Sequence, residues 1–275
     1  MEYLMTYGWA ILIIAVVLAA LFQLGVFNAS SFSPRAPPGA CQVFRPSGPG
    51  TVTNLNLMGV CTGQLPQYVA KFDGVGSYVD VGNSQIFKIT SSPLTISAWV
   101  MPMTLTADNR VFADFVYMAS GYAMNIYADG RFYLGTWQAS AQQSTVSSSG
   151  AVKAGVWTHI AVTRNGASAK TYANGVDLTT TPASHIDPAP STVNAWIGRG
   201  SGWPFNGFIA NVQIYNTSLS ANEVQALYLE GMGGAPIAPQ YLLGWWPLNG
   251  NSNDYSGNNN NGAPAGVTFT SQYGK

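Results

Sequence analysis

Carboxylates, histidines and exposed aromatic rings are the side chains here that could do chemistry or hold a ligand. Hydrolysis of a sugar–sugar bond needs two carboxylates across it, about 5–5.5 Å apart for a retaining reaction. On a strand that means acids at alternate positions facing one cleft. Of the eleven acids, three are glutamates: Glu2, Glu223 and Glu230. No two aspartates stand two residues apart, and His159 in "WTHIAVTR" has no nucleophile motif beside it. A GxSxG elbow, an HExxH helix and a phosphate-binding loop are all missing from the sequence. These residues therefore predict no enzyme. For a carbohydrate ligand the candidates are aromatic: Tyr133, Trp137 and Trp203 sit near turns, as stacking platforms would, whereas Trp99, Trp157, Trp245 and Trp246 lie in strand motifs and read as core.

Composition narrows the class. The chain has 275 residues, only 8% of them charged, with formal net charge +0. Nucleic acid rewards clustered positive charge, and none is present. Two cysteines, Cys41 and Cys61, bracket a Gly/Pro-rich stretch with no histidine near, which is not zinc spacing. They read as a disulfide formed in an oxidising compartment, or else as two buried thiols. "NAS" at Asn28 and "NTS" at Asn216 fit N-glycosylation acceptors.

The elements that would position these residues begin with "MEYLMTYGWAILIIAVVLAALFQLGVF". From Gly8 to Phe27 no charge occurs, so a helix of about 30 Å, a bilayer's hydrocarbon thickness, is expected. No Lys or Arg precedes the run, which argues against a simple cleaved signal. The Glu-Tyr-Leu-Met-Thr-Tyr-Gly-Trp order resembles the N-terminal helix of archaeal type IV-like pilins with a class III signal peptide. The resemblance implies a stem that sits in the membrane and then packs into a filament core. Glu2, Tyr3, Gly8 and Trp9 would then be assembly residues, although Glu2 stands second where the family places its acid fifth. The alternative is a single-pass anchor holding a monomeric, lectin-like binding protein at the surface. "NASSFSPRAPPGA" follows as a semi-rigid, proline-rich linker.

Beyond the linker, short alternating runs recur: "YVDV", "LTISAWV", "RVFADFVY", "GYAMNIYADGRFYLGTW", "WTHIAVTR" and "NGFIANVQIYN". Asp129-Gly130, Asn165-Gly166 and Asn174-Gly175 separate several of them, as hairpin turns do. One helix is predicted in "SLSANEVQALYLEG", with Ser220 as N-cap, Glu223 completing a capping box and Gly231 as stop. "FDGVGSYVDV", "LTISAWVMP", "VWTHIAVTRNGASAKTYANG" and "FNGFIANVQIYNTSLSANEVQALY" resemble the laminin G-like, concanavalin A-like jelly roll. The stretch "LLGWWPLNGNSNDYSGNNNNGAPAG" resembles that family's opening strand and loop, yet it closes the chain. A circular permutation is inferred, with an exchange of this strand between subunits as the rival. The resemblance also implies a calcium site, carried by Asp73 and Asp254 with Asn249 weaker, although Asn211 stands where relatives often have an acid.

The expectation is thus a long hydrophobic N-terminal α-helix (1–27), a linker (28–40) and an all-β sandwich head (41–275) whose first strand comes from the C-terminus. The expected protein is a subunit of an extracellular type IV pilus-like filament. It would form a homo-oligomer through its stems, stay membrane-inserted before assembly, expose its heads for adhesion or glycan binding, and bind no nucleic acid.

Overall fold

The computed structural model describes residues 13–17, the backbone of Cys41–Phe44 and Val52–Leu55, and residues 65–273 apart from 92, 107 and 201. The chain divides into two compact units, Met1–Arg35 and Ala36–Lys275.

The second unit is built from strands. In chain order they are β1 (Cys41–Phe44), β2 (Val52–Leu55), β3 (Val69–Asp73), β4 (Tyr78–Gly82), β5 (Leu94–Pro102), β6 (Asn109–Val116), β7 (Ser120–Ile126), β8 (Phe132–Gln138) and β9 (Ala141–Ser147). There follow β10 (Thr158–Asn165), β11 (Ser168–Ala173), β12 (Val176–Asp177), β13 (Thr179–Thr181), β14 (Ala195–Ile197), β15 (Asn206–Tyr215), β16 (Leu242–Trp246), β17 (Ala263–Ala265) and β18 (Thr268–Thr270). A back sheet runs β12-β11-β10-β5-β15-β3-β18, and a front sheet runs β13-β9-β8-β7-β6-β14-β4-β17. Every described pairing is antiparallel. Hairpin chemistry sets the registers. Asn174 and Gly175 both have positive φ (50° and 79°), the backbone that the tight β11–β12 turn needs.

Alternation puts Leu94, Ile96, Ala98 and Val100 of β5 against Phe112, Met124 and Leu134 of the front sheet, in one core that also holds Phe87 and Trp246. Burying each of the larger side chains stabilises by roughly 1.5–3 kcal/mol. The helix Ala221–Glu230 covers the back sheet from outside, through Val224 and Leu227 against Ala161, Tyr172 and Tyr215. Its capping box is formed as the sequence predicts: the Ser220 side chain accepts from the Glu223 amide and the Glu223 side chain accepts from the Ser220 amide. Gly231 ends it at φ 83°.

β16 occupies an unusual place. The first half of β15 pairs with β3, Asn206 opposite Asp73, and its second half pairs with β16, Val212 opposite Trp246. Two strands from opposite ends of the head therefore lie end to end along one edge of β15. The segment expected as the displaced first strand serves its own chain here, and Trp246 is wholly buried.

The fold class needs one correction. It is an all-β sandwich with short helices, and the long helix expected over 1–27 is not part of it. Helix in that stretch is described over residues 13–17 alone. Among the described residues, no helix is long and apolar enough to cross a membrane. The physical reason is that helical stability comes mostly from packing an apolar face. Ile13, Ile14, Val16 and Val17 are 50–61% exposed, and their β-branched side chains are weak helix formers. Glu2, Tyr3, Gly8, Trp9 and Asn28 lie outside the described residues, as does Cys61. Cys41 is described only through its backbone in β1.

Candidate functional site on the front sheet

Strand register lines up one polar row on the outer face of the front sheet. Arg110 of β6 stands opposite Asn125 of β7, and Asn125 opposite Tyr133 of β8. The next outward row is small: Trp196 faces Ala113, Ala113 faces Ala123, and Ala123 faces Gly135. Phe115 and Trp137 form the third.

These rows are tied together by rings. Phe115 and Trp137 stack at 4.4 Å between centroids, and the Arg110 guanidinium lies 4.8 Å over the Phe115 ring. On the other side Tyr133 stacks on Tyr127 at 4.5 Å, and Arg131 lies 5.3 Å over Tyr127. The result is a ladder that runs Trp137, Phe115, Arg110, Tyr133, Tyr127, Arg131. Gly135 makes room for it, because a Cβ there would come 2.6 Å from the Trp137 ring. The loop after β14 lies on the ladder: a Cβ on Gly200 would meet Ala113 at 2.6 Å and Phe115 at 3.1 Å. Trp203, in the same loop, is 43% exposed.

The electrostatics of the face are balanced. Arg110 pairs with Asp108 at 2.9 Å and donates to the Tyr133 hydroxyl at 3.3 Å. That hydroxyl donates in turn to Asp108 at 3.3 Å. Burial pushes the Asp108 carboxyl up, against the pull of the Arg110 guanidinium and the Tyr133 hydroxyl. Burial likewise raises the Tyr133 phenol. Yet four buried polar atoms of these rows find no partner: Arg110 Nε, Trp137 Nε1, and both Asn125 amide atoms. Such atoms cost about 1–3 kcal/mol each when left unpaired.

The three aromatic candidates thus separate. Tyr133 (2% exposed) and Trp137 (1%) are buried in the ladder, Tyr133 stacked on Tyr127 and Trp137 on Phe115, and they offer no face to solvent. Trp203 alone is presented outward. Arg110, Asn125, Phe115 and Asp108 were not singled out from sequence. The signal for them was a guanidinium and an amide set inside otherwise apolar strands, "NRVFADFV" and "SGYAMNI".

The calcium candidates do not fit one ion. Asn249 accepts from the Tyr68 amide, at the end of β3 opposite Asp73. At about 3.3 Å per residue, those two positions are roughly 16 Å apart. One Asp73 oxygen accepts the amides of Val75, Gly76 and Ser77 and the Ser77 hydroxyl, and these bonds hold the carboxyl far below its usual range. Asp254 accepts from the amides of Trp245, Ser256 and Asn260. Both act as turn caps, one Asp73 oxygen and both Asp254 oxygens accepting from local donors. Asn211, with positive φ, bonds Trp245 Nε1, Gln213 and Gly234. Among the described residues no group of three His, Cys, Asp or Glu side chains comes together.

His159 is buried in the back sheet, 2.8 Å from the Ser97 hydroxyl and packed on Trp99 and Tyr228. Burial lowers it to about 3, so it is neutral at ordinary pH. Ser97 and His159 are both buried, which marks the contact as structural. Asn216 is exposed at the end of β15.

Comparison with known proteins bears on the fold. No curated protein matches the chain. A carbohydrate binding protein from Bacteroides ovatus, provisionally so named, superposes with TM-score 0.57 at 18% identity, over 75% of this chain and 60% of its own. The chain therefore spans 60% of that protein's length. A heptameric SAP-like pentraxin from Limulus polyphemus gives TM-score 0.51 at 16% identity, over 74% of this chain and 94% of its own. Both share the sandwich. A family model covers residues 73–225, from the last residue of β3 into the covering helix. With more than half of its length matched, the chain belongs to the concanavalin A-like lectin/glucanases superfamily.

Proposed function

We propose that the sandwich binds carbohydrate on the outer face of its front sheet, and holds the sugar without cleaving it. One observation carries this reading: an exposed Trp203 stands in the loop that overlies a buried aromatic ladder containing unpaired polar atoms. Sugar sites combine an apolar ring surface with a few placed polar groups, and this face has both. The Bacteroides ovatus neighbour, with its provisional carbohydrate-binding name, is in keeping with the reading. Hydrolysis would need two carboxylates across one bond. On this face Asp108 is engaged by Arg110 and Asp129 by Arg131, so each has a structural partner. Display outside the cell is proposed with it, supported by the Cys41/Cys61 pair and the exposed Asn216 acceptor. Filament assembly rests on the N-terminal sequence resemblance alone.

The test is a glycan array probed with the full chain, followed by titration of the best binder. Trp203→Ala should weaken binding about tenfold, in line with the loss of one stacking ring, and leave the fold intact. An array without any binder would refute the reading.

A further inference from the structure

The end of β15 holds a feature that does not depend on what the front sheet binds. We infer that Asn216 carries an N-linked glycan whose first sugar lies on the Tyr241 ring, so that the modification braces the junction of β15 and β16.

The surroundings of the Asn216-Thr217-Ser218 acceptor carry the argument. On one side the buried Thr95 hydroxyl donates to the Thr217 carbonyl at 2.7 Å and accepts from the Leu219 amide at 2.9 Å. On the other the Asn216 backbone N–H donates to the Tyr241 carbonyl at 2.9 Å, which carries the β15–β16 pairing one step past Tyr215 and Leu242. The backbone is therefore pinned on both sides of Asn216 while the side chain is left free. Asn216 is exposed, and among the described residues neither its side-chain amide nor the Ser218 hydroxyl has a hydrogen-bond partner. Asn194, Asn206, Asn249, Asn251 and Asn258, by contrast, spend theirs on neighbours. Across from Asn216 stands Tyr241, 46% exposed at the end of the short turn Pro239–Tyr241. Facing residues of an antiparallel pair have Cβ atoms about 4.5–5.5 Å apart, within the span of an asparagine side chain and one pyranose ring. A pyranose presents C–H bonds on one face, an apolar surface that an exposed phenol ring can cover while its hydroxyl stays wet. An oligosaccharyltransferase would join Asn216 Nδ2 to the anomeric carbon of a lipid-phosphate-linked oligosaccharide. The bond from that carbon to the phosphate oxygen breaks, the lipid phosphate leaves with the electron pair, and the amide gives up one proton to solvent.

The test uses the full chain isolated from its source cells. Peptide mass spectrometry should find the Asn216 peptide heavier by a glycan; an unmodified peptide would overturn the inference and leave the front-sheet reading untouched. Ser218→Ala keeps Asn216 but removes the acceptor pattern, so it should yield the unmodified chain. Its Tm should fall by about 2–4 °C, the size of one aromatic contact in a domain of this length. In a Tyr241→Ala background the same substitution should cost nothing, because the sugar has no ring to lose. Equal losses in both backgrounds, or none in either, would overturn the seat on Tyr241. The unaltered protein gives a reading that does not depend on either variant folding. Protons on one face of the first sugar should be shifted upfield in its NMR spectrum by the tyrosine ring current. Unshifted protons would overturn the seat as well.

Discussion

Acid should unfold this sandwich through its two histidines. His185 sits in the connection between β13 and β14, with each ring nitrogen 2.8 Å from a threonine hydroxyl, Thr136 of β8 and Thr145 of β9. Burial, with Arg164 adding to it, lowers His185 to about 4, and burial lowers His159 to about 3. Both start from 6.5 in the unfolded chain. The folded state therefore binds fewer protons than the unfolded state below about pH 6.5, and stability falls as pH drops. At pH 5 each histidine contributes a loss of about 2 kcal/mol, since one pKa unit is about 1.4 kcal/mol. Together they remove about 4 kcal/mol, a large part of a typical 5–15 kcal/mol. The loss levels off below the folded values. Asp108 and Asp114 act the other way, because burial raises both carboxyls and the folded state gains protons on them at lower pH. Urea denaturation followed by tryptophan fluorescence, at steps from about pH 8 to 5, measures this directly. His185→Gln keeps hydrogen-bonding atoms for both threonines and removes the titration, so it should halve the slope. Equal stability at pH 8 and 5 would refute the reasoning.

Three further outcomes are expected. Ser220→Ala removes the capping box of the covering helix and should cost about 1 kcal/mol by urea midpoint. Lys88→Met strands Asp114, which is 1% exposed and bonded to Lys88 at 2.9 Å; it should cost about 3–5 kcal/mol at neutral pH, and Lys88→Met with Asp114→Asn should recover much of that in the same assay. Gly207→Ala would bring a Cβ within 2.3 Å of the Met101 carbonyl at φ 142°, and should lower Tm by several degrees or leave the chain insoluble.

Much of the head was legible because local chemistry and fold agreed there. Ser220, Glu223 and Gly231 mark the helix within one residue, and the Asn-Gly and Asp-Gly pairs mark hairpins. Period-two reading placed Leu94 to Val100 correctly, but it fails where both faces are covered. β6, β7 and β8 are buried at almost every position, so nothing in their sequence says which side meets the core. Tyr133 and Trp137 were taken as surface rings because turns flank them. What stacks on them includes Phe115, a ring supplied by another strand, which itself lies under the Gly200 loop from far along the chain. The calcium candidates were recognisable as turn residues, but a turn cap and a metal ligand use the same aspartate; only the donors around Asp73 and Asp254 tell them apart. The N-terminal stretch misled for a different reason. Apolar length measures what a helix could span, whereas the packing that would hold it is not written in those residues.

The ladder between β3 and β18 has a mechanical consequence. The chain enters β3 at Val69 and leaves β18 at Thr270, and these two residues face each other. Tension applied through the flanking segments would open that ladder one pair at a time from its end, rather than shear all its bonds together. Force entering through a ligand on the front sheet follows another route. It passes into β6, β7 and β8, which lie several strands from the β17 edge and are held on both sides. The same sandwich should thus yield readily to a pull between its own ends and resist a pull on what it holds.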